Sequence, residues 1–145
     1  MRIAVQVTAF DLGDEARAFA AGAAGAGAVV TFTGVVRGDG GMAAMEIEHY
    51  PGMTEKAIAG IAAQAMERWR LTDALVIHRH GRLQVGEAIM MVATAAPHRA
   101  DAFAAAEFLM DYLKSRAPFW KKEIGADGAA WVAAKEADEA ALTRW

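Results

Sequence analysis

Apolar and polar residues alternate from Arg2 to Thr8, with Ile3, Val5 and Val7 set against Arg2, Gln6 and Thr8. A period of two predicts a half-buried strand. Asp11 to Ala20 opens on candidate N-caps, Asp11 and Asp14, and carries acids in its first turn, which predicts a short helix. The Gly/Ala-rich stretch from Ala21 to Gly27 is expected to be a connector. Ala28 to Val36 is β-branched and aromatic, a strand, and Arg37 ends it before the glycine loop Gly38-Asp-Gly-Gly41. Met45 to Tyr50 alternates again and predicts another strand. Pro51 is expected to sit in the first turn of a helix reaching Arg70, with Ile58, Ile61, Ala62, Ala65 and Trp69 facing inward and Thr54, Glu55 and Lys56 outward.

Ala74 to His80 predicts a strand, Arg82 to Glu87 a turn, and the apolar run Ala88 to Ala95 a central strand. Pro97-His98-Arg99 opens a long helix with Phe103, Ala106, Met110 and Leu113 as its buried stripe. That helix must stop before Pro118, because proline forces Ala117 out of the α region. Phe119 to Ile124 then reads as a strand and Asp127-Gly128 as a turn. Ala129 to Ala134 fits strand or helix, and Glu136 to Trp145 is a charged, partly helical tail. Strands in neighbouring pairs alternate with helices. This favours an α+β fold with a largely antiparallel sheet and packed helices over a doubly wound parallel one. No repeat or linker divides residues 1–145, so one domain is expected.

Composition narrows the function. Hydrophobic residues make up 55% of the 145 and charged ones 23%, so a packed core is expected and disorder is not. A formal net charge of −3 disfavours general nucleic-acid binding. The chain has no cysteine, which removes disulfides, thiolate metal sites and cysteine nucleophiles. The N-terminal residues lack the pattern of a secretory signal, and Ala16 to Val30 is too broken by Gly, Ala and Arg17 to span a bilayer. A cytoplasmic protein is expected, with no membrane and no nucleic acid among its partners.

One stretch does not fit a structural role alone. Asp111-Tyr-Leu-Lys-Ser-Arg-Ala-Pro-Phe-Trp-Lys-Lys-Glu123 combines an apolar wall with four cations, Lys114, Arg116, Lys121 and Lys122. The helix macrodipole explains cations at the helix end, Lys114 and Arg116. It does not explain Phe119-Trp120-Lys121. A lysine near apolar groups and other cations has its pKa lowered, and then serves as acid, base or nucleophile. Pro118 stands between Lys114 and Lys121, so their convergence depends on the turn. His98 and Arg99 at a helix start are electrostatically misplaced unless an anion joins them, the alternative being a solvent-facing pair. His78 and His80 share a strand face, but no third metal ligand is evident, and a structural role is the simpler reading. Ser115 is the one serine, so no serine triad can be built. The glycines around Arg37 lack the Gly-Lys-Ser/Thr ending of a P-loop.

Four strings resemble the large, catalytic subunit of molybdopterin synthase. They are Phe32-Thr-Gly-Val-Val-Arg37, Glu48-His-Tyr-Pro-Gly-Met-Thr-Glu-Lys56, Ile77-His-Arg-His-Gly-Arg82 and Asp111 to Glu123, with Pro97-His-Arg-Ala-Asp-Ala-Phe103 matching in kind. They run in family order from about Ala28 to Trp145. The resemblance implies an α/β hammerhead-like fold and a homodimer. It implies a partner, a small ubiquitin-like sulfur carrier whose C-terminal Gly-Gly thiocarboxylate enters a pocket, giving a heterotetramer. It implies transfer of two sulfurs to cyclic pyranopterin monophosphate, forming the molybdopterin dithiolene, with no cofactor and no bound metal for this step. Lys114 matches the family's main catalytic lysine and Lys121 the second. Arg37, His98 and Arg99 match its anion- and pterin-binding groups, the last two contributed across the dimer. Val35 and Val36 beside Arg37, and Lys122 and Glu123 beside Lys121, complete the expected substrate wall. The loop Gly38 to Ala44 departs from the family in being shorter and richer in glycine than in many members. The residues alone also allow two other readings. One is a non-catalytic homodimeric module binding an anion or a peptide tail, and the other a scaffold whose Phe119-Trp120 patch meets a partner.

Overall fold

The computed structural model describes all 145 residues. In chain order the elements are β1 (Arg2–Gln6), α1 (Leu12–Gly22), β2 (Ala28–Val35), β3 (Met42–His49), α2 (Met53–Arg68), β4 (Asp73–Arg79), β5 (Gly81–Gln84), β6 (Ala88–Ala96), α3 (Arg99–Arg116), β7 (Phe119–Gly125), β8 (Gly128–Trp131) and α4 (Glu136–Ala141). A 3-10 turn, Leu142–Arg144, follows α4. The fold is α+β, but with two four-stranded sheets where one was expected. Their orders are β1-β4-β6-β2 and β5-β3-β7-β8. Every ladder is antiparallel except β1 on β4.

The first sheet is a filled layer. β6 lies between β4 and β2, and all its residues after Ala88 are buried, as its unbroken apolar run requires. On one face Phe19 and Ala23 of the α1 region pack on Leu75, Ile77, Met91, Ala93 and Ala95. On the other, α2 and α3 cover Val76 and Val92 with Ile58, Ala62, Phe108 and Leu109. The Thr94 hydroxyl, fully buried, donates to the Ala102 carbonyl at 2.7 Å and ties β6 to the start of α3. α1 is capped as expected, with the Asp11 carboxylate accepting from Asp14 N–H at 2.8 Å.

Local readings change at four places. Arg82–Glu87 is not simply a turn, since Gly81–Gln84 forms β5, which pairs with β3 and buries Leu83. Pro51 stands before α2 rather than in its first turn. Gly52, at φ 84°, is the N-cap, and its N–H donates to the Glu55 carboxylate at 2.8 Å. Thr54 is fully buried, not outward. Its hydroxyl donates to Tyr50 O at 2.9 Å and accepts from Tyr50 N–H at 3.1 Å, stapling the strand end to the helix. Phe103 is 61% exposed, and the buried stripe of α3 is instead Ala102, Ala105, Ala106, Phe108, Leu109 and Leu113.

α3 sets the geometry of the site. It leaves β6 at Ala96, which pairs with Ala28, and packs back over β6 and β2. Its C-terminal end therefore lies toward the Val35 and Ala88 end of those strands. Arg99 and Lys114 are fifteen residues apart on it, about 22 Å at 1.5 Å per residue.

Candidate active site

α3 ends where Pro118 demands. Ala117 is extended at φ −79°, ψ 131°, and β7 begins two residues later. Lys114 occupies the last turn of the helix and is exposed. Lys121 is the third residue of β7, in register with Ile47, while Phe119 meets His49 and Glu123 meets Met45. Strand alternation puts Phe119, Lys121 and Glu123 on the face of buried Ile47 and Met45. Lys121 is thereby half-buried on the core side of its sheet. Burial pushes its pKa below the usual lysine range, the Lys114 ammonium pushes it further, and Lys135 adds to this, against an opposing pull from Asp138. The break at Pro118 and the register of β7 on β3 bring the two lysines into electrostatic contact.

Alternation separates Lys122 from this pair. It takes the opposite face with Glu46 across from it, and its ammonium lies 4.6 Å from the centre of the Trp131 ring. Trp120 shares that outer face and is 50% exposed. Glu123 lies on the Lys121 face, one strand step further on, and is exposed.

Beneath the break sits a histidine. His78 is buried, and its ring stacks on Phe119 with centroids 3.7 Å apart and planes 14° from parallel. Its Nδ1–H donates to the Arg79 carbonyl at 2.8 Å. Burial pushes the His78 pKa down to about 4, so the ring is neutral near pH 7. The rings of His49 and His80 lie 4.3 Å apart, tilted at 49° to each other. No cluster of three or more His, Cys, Asp or Glu side chains suited to a metal ion is present.

Arg37 follows β2 after one residue, Val36. Val35 pairs with Ala88 after a register shift at Gly34, so Arg37 lies at the same end of the sheet as the C-terminus of α3. Its guanidinium is exposed and its Nε is 2.6 Å from Asp39. Val36 is buried, whereas Val35 is 51% exposed. His98 is the N-cap residue of α3 and Arg99 its first residue, both exposed. Within one chain they are a helix length away from Lys114.

The C-terminal segment, unassigned to the site by sequence, straps the outside of α3. Arg116 forks onto Glu139 with two bonds of 2.7 Å, and Arg144 reaches Glu107 at 2.7 Å and Asp111 at 3.0 Å. The Trp145 indole N–H donates to Asp111 at 2.7 Å, and its ring meets Trp69 and Phe108 edge to face. This strap carries Lys135 and Asp138 to Lys121. An isolated tryptophan in a charged tail was the one signal for it in the sequence.

The family model of the MoaE protein matches residues 5–116. The chain belongs to the MoaE family. The molybdopterin synthase catalytic subunit of Cereibacter sphaeroides is 74% identical over the whole of both chains. Among solved structures, the molybdopterin biosynthesis MoaE protein from Burkholderia ambifaria superposes with a TM-score of 0.85 at 53% identity, covering 99% of this chain and 96% of that one. The molybdopterin synthase from Staphylococcus aureus does so with a TM-score of 0.83 at 33% identity, covering 92% and 98%. The MoaE family match contains Arg37, His98, Arg99 and Lys114. Lys121 lies past its end, inside the full-length match to the Cereibacter protein.

Proposed function

We propose that the chain acts as the catalytic subunit of a molybdopterin synthase, with Lys114 and Lys121 as the groups that move protons. The observation that carries the reading is the half-buried Lys121 beside Lys114, with its pKa lowered by burial and by that neighbour. Sulfur from a thiocarboxylated carrier attacks carbon next to the pterin of cyclic pyranopterin monophosphate, and water then cleaves the resulting thioester, leaving the sulfur on the product and releasing the carrier as its carboxylate. The attack requires proton movement and opening of the cyclic phosphate. A lysine whose pKa is lowered exchanges its proton more readily, and a charged neighbour stabilises developing oxyanions. Arg37, at the same end of the fold, supplies charge for the phosphate, with Val35 beside it.

His98 and Arg99 enter the site from a second copy of the chain. β2 is the free edge of its sheet and exposes Val29, Phe32 and Val35, a surface suited to such a copy. Two copies with two small ubiquitin-like carriers, each inserting a Gly-Gly thiocarboxylate tail, form the working heterotetramer. We place the reaction in the cytoplasm. No helix is long and apolar enough to cross a membrane. Membership of an enzyme family leaves the non-catalytic module and the scaffold without support.

The test is conversion of precursor by purified carrier thiocarboxylate. Lys114→Ala is expected to lower the rate by about a thousandfold, within the usual range for a lost acid–base group. Lys114→Arg keeps the charge but cannot exchange protons near neutral pH, so it too should be inactive. Near-normal product from either variant overturns the assignment.

A further inference from the structure

We propose that Glu87 is a positioning residue for Arg37, anchored in turn by the buried Arg79. The inference rests on the reading of Arg37 as the phosphate-binding cation. The β2–β6 ladder becomes irregular between Gly34 and Val35 and ends at Val35, so the sheet no longer holds the chain at Val36. The turn after β5 takes over. Val36 N–H donates to the Glu87 carbonyl at 2.9 Å, and Gly86 N–H donates to the Val36 carbonyl at 2.8 Å. Both backbone groups of the residue before Arg37 are thus fixed to one turn. On the other side of Arg37, a Cβ at Gly38 would fall 2.8 Å from the Val85 side chain, so the backbone there rests directly on the same turn.

The turn is closed by the Glu87 N–H, which donates to the Gln84 carbonyl at 3.1 Å, and is held further by the Glu87 side chain. One carboxylate oxygen accepts from Gln84 N–H at 2.5 Å, and the other meets Arg79 Nη1 at 3.3 Å. Arg79 is 8% exposed and is pinned independently, since Nε and Nη2 both donate to the Val7 carbonyl at 3.1 and 2.9 Å. A rigid path therefore runs from the end of β1 through Arg79 and Glu87 to the backbone of Val36. The Arg37 side chain has no comparable support of its own. Its ion pair with Asp39 is exposed, and such pairs hold geometry weakly. Where Arg37 points is decided by its backbone, and the backbone by Glu87.

The experiment uses the whole synthase with saturating thiocarboxylated carrier, varying cyclic pyranopterin monophosphate. Glu87→Ala is expected to raise KM about tenfold with little change in kcat, the signature of a displaced binding group. Glu87→Gln, which keeps an acceptor for Gln84 N–H, is expected to recover most of the loss. In an Arg37→Ala background, Glu87→Ala should raise KM no further. Multiplying effects, or a fall in kcat alone, would overturn the proposal. If Arg37→Ala itself leaves KM unchanged, the assignment of Arg37 has failed instead. The clamp is then judged by hydrogen exchange, where the Val36 amide should exchange at least about tenfold faster in Glu87→Ala while Leu109 is unaffected. Unchanged Val36 protection sinks the clamp. Should Glu87→Ala not fold, Glu87→Asp, one methylene shorter, is held to the same criteria.

Discussion

At its N-terminal end α3 carries His98 and Arg99, which are exposed and whose side chains make no hydrogen bond or ion pair within the chain. At its C-terminal end it carries Lys114 and Arg116, close to a strap of ion pairs and a wedged tryptophan. Both ends are cationic, but the macrodipole treats them oppositely. Cations gain about 0.3–1 kcal/mol at a helix C-terminus and lose a similar amount at the N-terminus. The C-terminal end is therefore electrostatically satisfied by its own chain. At the N-terminal end Asp101, in the first turn, complements the dipole, while His98 and Arg99 have no partner within the chain. A single helix holds the two ends about 22 Å apart, so the proposed site needs the N-terminal end of a second copy.

The largest effect tests that separation directly. Lys114→Ala and Arg99→Ala should each be strongly impaired alone, by about a thousandfold and at least tenfold respectively. Unfolded and refolded together, half of the dimers combine one subunit of each kind. If the two ends meet across the dimer, each mixed dimer keeps one intact site and one doubly defective site. About a quarter of wild-type activity should then return. No recovery in the assay would put both ends in one chain's site, or Arg99 outside it.

The next effect concerns the bed of the C-terminal end. The His78 pKa is about 4 in the folded chain against 6.5 in a free one. Between those values the unfolded chain holds the proton and the folded chain does not, so stability falls as pH drops through this window. The full loss by pH 4 is about 3 kcal/mol. Urea midpoints measured across pH 7 to 4 should show it, and His78→Gln should flatten the curve over that range. A curve unchanged by His78→Gln would exclude His78 as its source.

Trp145→Ala comes third. Removing a half-buried ring from Trp69 and Phe108 should cost about 2 kcal/mol and lower Tm by several degrees. Because the strap carries Asp138 and Lys135 to Lys121, its loss should also displace the pH–rate limb that Lys121 governs. The limb stays put if the strap has no hold on Lys121. Smallest of all is Arg116→Ala. Its bond to Glu139 is bidentate yet exposed, so calorimetry should find Tm essentially unmoved.

The same helix shows what could be read from the sequence. The two ends of α3 were legible, because His98 follows a proline and Pro118 enforces the break. The central strand β6 was legible because burial on both faces leaves only apolar residues. β5 was not, since a four-residue strand buries only Leu83 and its neighbours look like any polar turn. Thr54 misled because a hydroxyl serving backbone groups within the chain has the same sequence signal as one facing water. Phe103 misled because the N-terminal half of the apolar stripe of α3 is supplied by the small residues Ala102, Ala105 and Ala106, and Phe103 faces outward. In the site, Lys114 and Lys121 were named from composition and resemblance, but their approach needed the β3–β7 register, a long-range pairing with no local signature. That register also parts Lys122 from Lys121, which adjacency in sequence had joined.

The strap has an optical consequence. The chain holds four tryptophans, and they divide into two pairs of contrasting environment. Trp120 and Trp131 are half exposed, whereas Trp69 and Trp145 lie with ring centres 5.5 Å apart and planes at 89°. Two indoles that close and that fixed couple their transitions, while freely solvated ones contribute little ellipticity. Near-ultraviolet circular dichroism should thus report the seating of the C-terminus on α3. Fluorescence quenching by a soluble agent, in contrast, should report the outer face around β7 and β8, and the two signals can be followed in one cuvette as carrier is added.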